Sequence, residues 1–217
     1  MTFSSQEEAE LYRLKKNMNR SDIEKFQLFC RMMRIGKMLS KAKIQNNLEI
    51  NHRMDVMDEG LLEFWKVLNR HKVLYIMVGG FAANMYGYSR ATDDSNLWLK
   101  DELPNRQNLR RAFKDLGYGD LSIIETMQFV PGLTQFNIAG GIPLDIMTTM
   151  KGLEHQSFEE CYKNAVKADL DGIIVPFLHI NDLIAHKKAV FRPKDQLDLL
   201  ELEKIRKILQ ETQAKKG

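Results

Sequence analysis

Apolar positions along this chain recur at two periods, and the period switches several times. Over residues 21–43 Ile23, Phe26, Phe29 (or Leu28), Met32 and Met33 return at helical spacing, with Lys25, Arg31, Arg34 and Lys37 between them, which predicts an amphipathic helix. Ser21 or Asp22 is placed to cap it, and Glu24 lies at capping-box distance from Ser21. Gly36 is a point where it can break or bend. A second helix is predicted over 55–70, with Met57, Leu61, Leu62, Trp65 and Leu68 on one face. Residues 73–78 are then a continuous apolar run rich in branched side chains, as a buried strand requires. Further strands are predicted at 97–99, 123–130, 134–138, 142–147 and 173–177, with turns at Pro131-Gly132, Gly140-Gly141 and Asp171-Gly172. Helices are expected at 81–88, 106–116, 157–165, 180–190 (capped near Asn181-Asp182) and 193–209. Residues 1–20 read as disorder or a loose helix, 44–54 as a linker, and the last eight residues as a frayed polar tail.

This mixture predicts an α+β (mixed α/β) fold, a mixed sheet flanked by helices. Its expected parts are a helical N-terminal extension at 1–54, a core at 55–150, and a mostly helical part of the same domain at 151–217. The N-terminal helix is expected to pack on the body or on a second subunit, which makes a homodimer one possible partner arrangement.

Composition narrows the class. The chain has 217 residues and a formal net charge of +3, so no global pull toward nucleic acid or membrane is expected. The N-terminus lacks the apolar stretch of a signal peptide, and no run approaches the roughly 18 apolar residues a membrane span needs. A cytoplasmic protein is expected. Cys30 and Cys161 are far apart and lie in no metal-binding spacing, which points to two free thiols.

The chemistry concentrates in residues 75–99, YIMVGGFAANMYGYSRATDDSNLWL. An apolar strand ends in Gly79-Gly80, where backbone N–H groups can approach a ligand closely and a helix start would favour an anion. Asp94 and Asn96 head the next strand two residues apart, so they share a face. Oxygen ligands at that spacing suit magnesium, which takes few carboxylates and completes its shell with substrate phosphates. Asp145 sits among apolar neighbours in IPLDIM, where an uncompensated charge is costly. That makes it the candidate third ligand. Arg90 and Thr92 read either as phosphate or nucleotide contacts or as turn residues. Lys187 and Arg192 read either as phosphate contacts or as structural partners of carboxylates, while Asp195 and Asp198 read as capping and pairing within the last helix. His179 and His186 show no positioned partner in sequence. Trp65 and Trp98, and Phe81, Tyr86 and Tyr88, read first as core rather than as a nucleoside platform.

The glycine pair, the Asp94–Asn96 step, the Asp145 strand, Arg90-Ala91-Thr92 and Arg192-Pro193-Lys194-Asp195 together resemble the nucleotidyltransferase superfamily that includes DNA polymerase beta. Within it they resemble a bacterial branch related to the minimal nucleotidyltransferases and the abortive-infection nucleotidyltransferase toxins. The resemblance covers about residues 55–209. It implies Gly79 and Gly80 around a triphosphate, Asp94, residue 96 and Asp145 on Mg2+ (or Mn2+), and transfer of a nucleoside monophosphate from an NTP to a hydroxyl of a protein, a tRNA or a small molecule. Asp145 would help deprotonate that hydroxyl. Asn96 stands where the pattern has a second aspartate, and Ser95 where it has an apolar residue. A neutral amide binds a cation less well than a carboxylate. The resemblance therefore leaves a second implication open, a non-catalytic relative that binds nucleotide or serves as an antitoxin-like partner.

Overall fold

Short apolar runs need both faces covered, and here they pack side by side in one sheet with helices around it. The computed structural model describes residues 5–41, 56–92, 94–130, 132 and 134–215. Its strands are β1 (Tyr75–Val78), β2 (Ser95–Leu99), β3 (Gln135–Ile138), β4 (Ile142–Met147), β5 (Val166–Leu170) and β6 (Ile173–Phe177). They form one six-stranded sheet in the order β3-β4-β2-β1-β6-β5. β1 runs antiparallel to β2 and parallel to β6, and β2 runs parallel to β4. Two hairpins, β3–β4 and β5–β6, form the edges. The helices are α1 (Gln6–Met18), α2 (Asp22–Lys41), α3 (Val56–Arg70), α4 (Gly79–Met85), α5 (Leu103–Asp115), α6 (Phe158–Asn164), α7 (Ile180–Val190) and α8 (Pro193–Ala214). The fold is α+β, as the period switches predict.

The sheet centre is the driest part. All four residues of β1 are buried, which a strand covered on both faces allows. Trp65, Phe64, Leu61 and Leu68 of α3 are fully enclosed. Trp98 and Phe81 are also core residues. Phe26, Phe29, Cys30 and Met33 of α2 belong to the same buried cluster as the strands, so the body of the chain itself covers this face. Ser21 and Glu24 form the expected reciprocal cap. The helix continues through Gly36 without ending there.

Several expectations need correction. Residues 123–130 form no strand. Ser122–Glu125 is a 3-10 turn, and the Arg106 guanidinium donates to the carbonyls of Ile124 (3.2 Å) and Met127 (2.7 Å). These bonds tie the segment to α5, and Arg106 also lies 4.9 Å above the Phe129 ring. β5 was not anticipated, because an edge strand with only Ala168 and Leu170 buried carries a weak alternation. Residues 6–18 form a regular helix capped by the Ser5 side chain, and α8 extends to Ala214. His179, not Asn181 or Asp182, caps α7: its Nδ1 accepts the Asn181 N–H at 3.3 Å. The 44–54 linker lies outside the described residues. No helix among the described residues is long and apolar enough to cross a membrane.

Candidate functional site

Strand register builds the site. Gln135 pairs with Asp145, Asp145 with Asn96, and Asn96 with Val78. One transverse row of the sheet therefore reads Gln135, Asp145, Asn96, Val78, and leads straight into Gly79. Adjacent strands are about 4.8 Å apart, so Asp145 and Asn96 stand side by side on one face. Asp94, two residues earlier, stands on that face too. All of these border a cavity of about 390 Å³ that also takes in Gly80, Arg90, Lys151, His186, Lys187 and Arg192. Asp94, Asn96, Asp145, Gly79, Gly80, Arg90, Lys187 and Arg192 are thus brought together. Thr92 is buried beside the cavity rather than lining it.

The glycine turn is sterically required. Gly79 has φ +62°, and a Cβ there would lie 2.9 Å from the Asn96 amide nitrogen. A side chain at 79 would be strained by its backbone and would push Asn96 out of the row. α4 has seven residues, so the turn's contribution is close backbone approach rather than a helix dipole. The buried Asn84 side chain ties this turn to the next loop, donating to the carbonyls of Gly80 (2.9 Å) and Arg90 (3.4 Å).

The two carboxylates are held by neutral donors. Asp145 accepts the Gly132 N–H on both oxygens, at 3.0 and 2.9 Å. Burial pushes its carboxyl above the ordinary range. The Gly132 bond and Arg192 pull it down, and Asp94 pushes it up further. Asp94 Oδ1 accepts the Thr92 hydroxyl at 2.8 Å. Asp94 and Asp145 oxygens with the Asn96 amide between them form a hard-donor set. Among the described residues no group of three or more His, Cys, Asp or Glu converges. A cation here would take two protein carboxylates and fill its shell from bound phosphate or water. That fits magnesium or manganese and does not fit a closed zinc site.

The opposite wall is basic, and each of its three cations pairs with one or both of two carboxylates. Lys187, buried on α7, pairs with Asp195 at 3.0 Å and with Asp198. Arg90 Nε lies 3.0 Å from Asp198, and Arg192 Nε lies 2.8 Å from Asp195. Burial raises the Asp195 carboxyl, yet the bonds from Arg192 and Lys187 outweigh it and hold it at about 2. Asp195 does cap α8, taking the Arg192 backbone N–H at 3.1 Å. Asp198 does not pair within its helix; its partners are Lys187 and Arg90. The structural alternative for Lys187 and Arg192 is therefore realised.

Lys151, which the sequence did not flag, and His186 also border the cavity, and among the described residues the Lys151 ammonium has no ion pair. The His186 ring donates to the Lys151 carbonyl at 2.9 Å, and burial lowers the ring's proton affinity. Nothing in the spacing marks Lys151, because it follows the end of β4. Tyr86 and Tyr88 do not reach the cavity. Cys30 and Cys161 are free and buried. No family model matches this chain, and no curated protein matches it closely enough to count as a relative.

Proposed function

We propose that the chain binds a nucleoside triphosphate together with Mg2+ or Mn2+ and transfers its nucleoside monophosphate to a hydroxyl acceptor, as a nucleotidyltransferase. The carrying observation is the row Asp145–Asn96–Val78 with Asp94 on the same face and Gly79-Gly80 at its end. Two carboxylates on adjacent strands, beside a turn that admits phosphate, suit a cation-bound triphosphate. When bound, the cation would screen the phosphate charge and favour ionisation of the acceptor. The chain's residues divide the remaining work. Asp94 and Asp145 would hold the cation, and Asn96 would add its carbonyl oxygen. Asp145 would also help take the acceptor proton as the acceptor oxygen bonds to the α-phosphorus and pyrophosphate leaves. Lys151 would meet the leaving phosphates. A protein side chain, a tRNA end and a small molecule are all open as acceptors.

Asn96 favours a second reading, nucleotide binding without transfer, with a role as an antitoxin-like partner. Its amide fills the space against Gly79, where a carboxylate would add the charge a triphosphate site uses. Incubation with labelled nucleoside triphosphates and Mg2+ separates the two. Transfer that disappears in Asp145→Ala supports the enzyme. No transfer with any triphosphate, restored by Asn96→Asp, supports the second reading.

A further inference from the structure

The loop from Tyr86 to Thr92 carries Arg90 and leads into Asp94, and two helices from the N-terminal extension press on it. α2 touches it at Gly36. A Cβ on Gly36 would lie 2.8 Å from the Thr92 carbonyl oxygen and 3.0 Å from its carbon. Both are backbone atoms, so no side-chain rotation relieves the clash. α1 touches it at Gly87, where φ is +101° and a Cβ would come 2.8 Å from the Met18 backbone nitrogen. Beside that contact the Asn17 side chain donates to the Ser89 hydroxyl at 3.0 Å. Both helices are also anchored elsewhere. Asp22 accepts the Asp169 N–H of β5 at 3.0 Å, Arg34 pairs with Asp58 at 2.8 Å, and Glu10 pairs with Lys204 of α8 at 2.9 Å.

The α2 contact falls on Thr92, and the α1 contacts fall on Gly87 and Ser89 earlier in the same loop. Thr92 is buried, and its hydroxyl holds Asp94 at 2.8 Å. The Thr92 backbone is where α2 bears at Gly36, and its side chain is where Asp94 is held. We propose that α1 and α2 set the position of Asp94, with Gly36 and Thr92 as positioning residues and Asn17–Ser89 as a secondary hold. The extension is then part of the cation site and not an appendage to it. Thr92 acts through Asp94 and does not contact nucleotide.

This proposal rests on the reading of Asp94 as a cation ligand, so the test includes a control for that reading. Mn2+ binding to the full chain is measured by electron paramagnetic resonance in the presence of a non-hydrolysable nucleoside triphosphate, with thermal unfolding followed for each variant. Thr92→Val, which keeps shape and loses the hydroxyl, is expected to weaken binding about tenfold, the scale of a hydrogen bond to a charged group. Thr92→Ser, which keeps the hydroxyl, is expected to stay within about twofold of the original chain. Gly36→Ala is expected to weaken binding several-fold with Asp94 and Thr92 intact. Its effect should be absorbed in Gly36→Ala/Thr92→Val, because coupled residues on one path do not add. Should Gly36→Ala fail to fold, Ser89→Ala carries the test with an expected loss of a few-fold.

Wild-type affinity in folded Gly36→Ala or, in its place, Ser89→Ala overturns the proposal. So do additive effects in the double variant, or Thr92→Ser falling as far as Thr92→Val. If the original chain binds no Mn2+, or Asp94→Asn binds as well as it does, the cation reading itself fails and takes this proposal with it.

Discussion

The two walls of the cavity are charged in opposite ways and finished to different degrees. On the sheet wall, among the described residues, the hydrogen-bond donors to Asp94 and Asp145 are a hydroxyl and a backbone N–H, with Arg192 acting on both carboxylates through its charge. On the basic wall, Arg90 from the 86–92 loop with Lys187 and Arg192 from the α7–α8 region all pair with the buried Asp195 and Asp198. Paired charges with dense partners hold a structure together. Carboxylates that accept bonds from neutral donors and face an opening keep charge available for a cation. The basic wall is therefore scaffold first, and the acidic wall is the one we propose as the ligand site.

The largest effect should come from the scaffold. Lys187→Met removes the buried cation that contacts both Asp195 and Asp198 and leaves each carboxylate a single arginine partner, so it should destabilise the fold by about 3–5 kcal/mol in denaturant titrations. The same wall should show in acid. The Asp195 carboxyl is held at about 2, below its ordinary value. Its stabilisation is complete above the usual carboxylate range near 4 and is lost as pH falls toward about 2. Stability against pH should therefore fall through that window, and less so in Asp195→Asn.

Asp145→Asn should behave in the opposite way. Burial disfavours its charged form, so removing the charge should leave thermal stability at pH 7 unchanged or higher. Nucleotide transfer, in contrast, should fall about a hundredfold or more. A large loss of stability would mean that Asp145 belongs with the scaffold. Asn96→Asp adds a third carboxylate to the sheet wall. Without cation the repulsion should lower the melting temperature. With Mg2+ and nucleotide it should raise the melting temperature above that of the original chain, through tighter binding. The smallest effect belongs to Lys151→Gln. Triphosphate affinity should weaken by about two- to fivefold with stability unchanged, since an exposed cation is screened by solvent.

Much of the acidic wall was legible in the sequence. The i, i+2 step from Asp94 to Asn96 is a local property of any strand, and Asp145 stood out as a charge inside an apolar run. What joined them was not local. Only strand order puts β4 beside β2 in a register that sets Asp145 against Asn96. The partners of Lys187 and Arg90 were hidden for a similar reason. Asp198 is two helical turns and a loop away from one and more than a hundred residues from the other. Gly36 looked like a helix breaker because its actual purpose, contact with the Thr92 backbone, spans 56 positions. The strand expected at 123–130 is replaced by a 3-10 turn and a loop tied to α5 through Arg106, a long-range contact with no local signal.

A crystal structure with Mn2+ and a non-hydrolysable nucleoside triphosphate, read in anomalous density, bears most directly on the division between the walls. If the acidic wall is the ligand site, a manganese peak lies at about 2.0–2.3 Å from carboxylate oxygens of both Asp94 and Asp145, with the triphosphate against Gly79-Gly80. Manganese elsewhere, or a triphosphate seated among Arg90, Lys187 and Arg192 with their ion pairs broken, would contradict it.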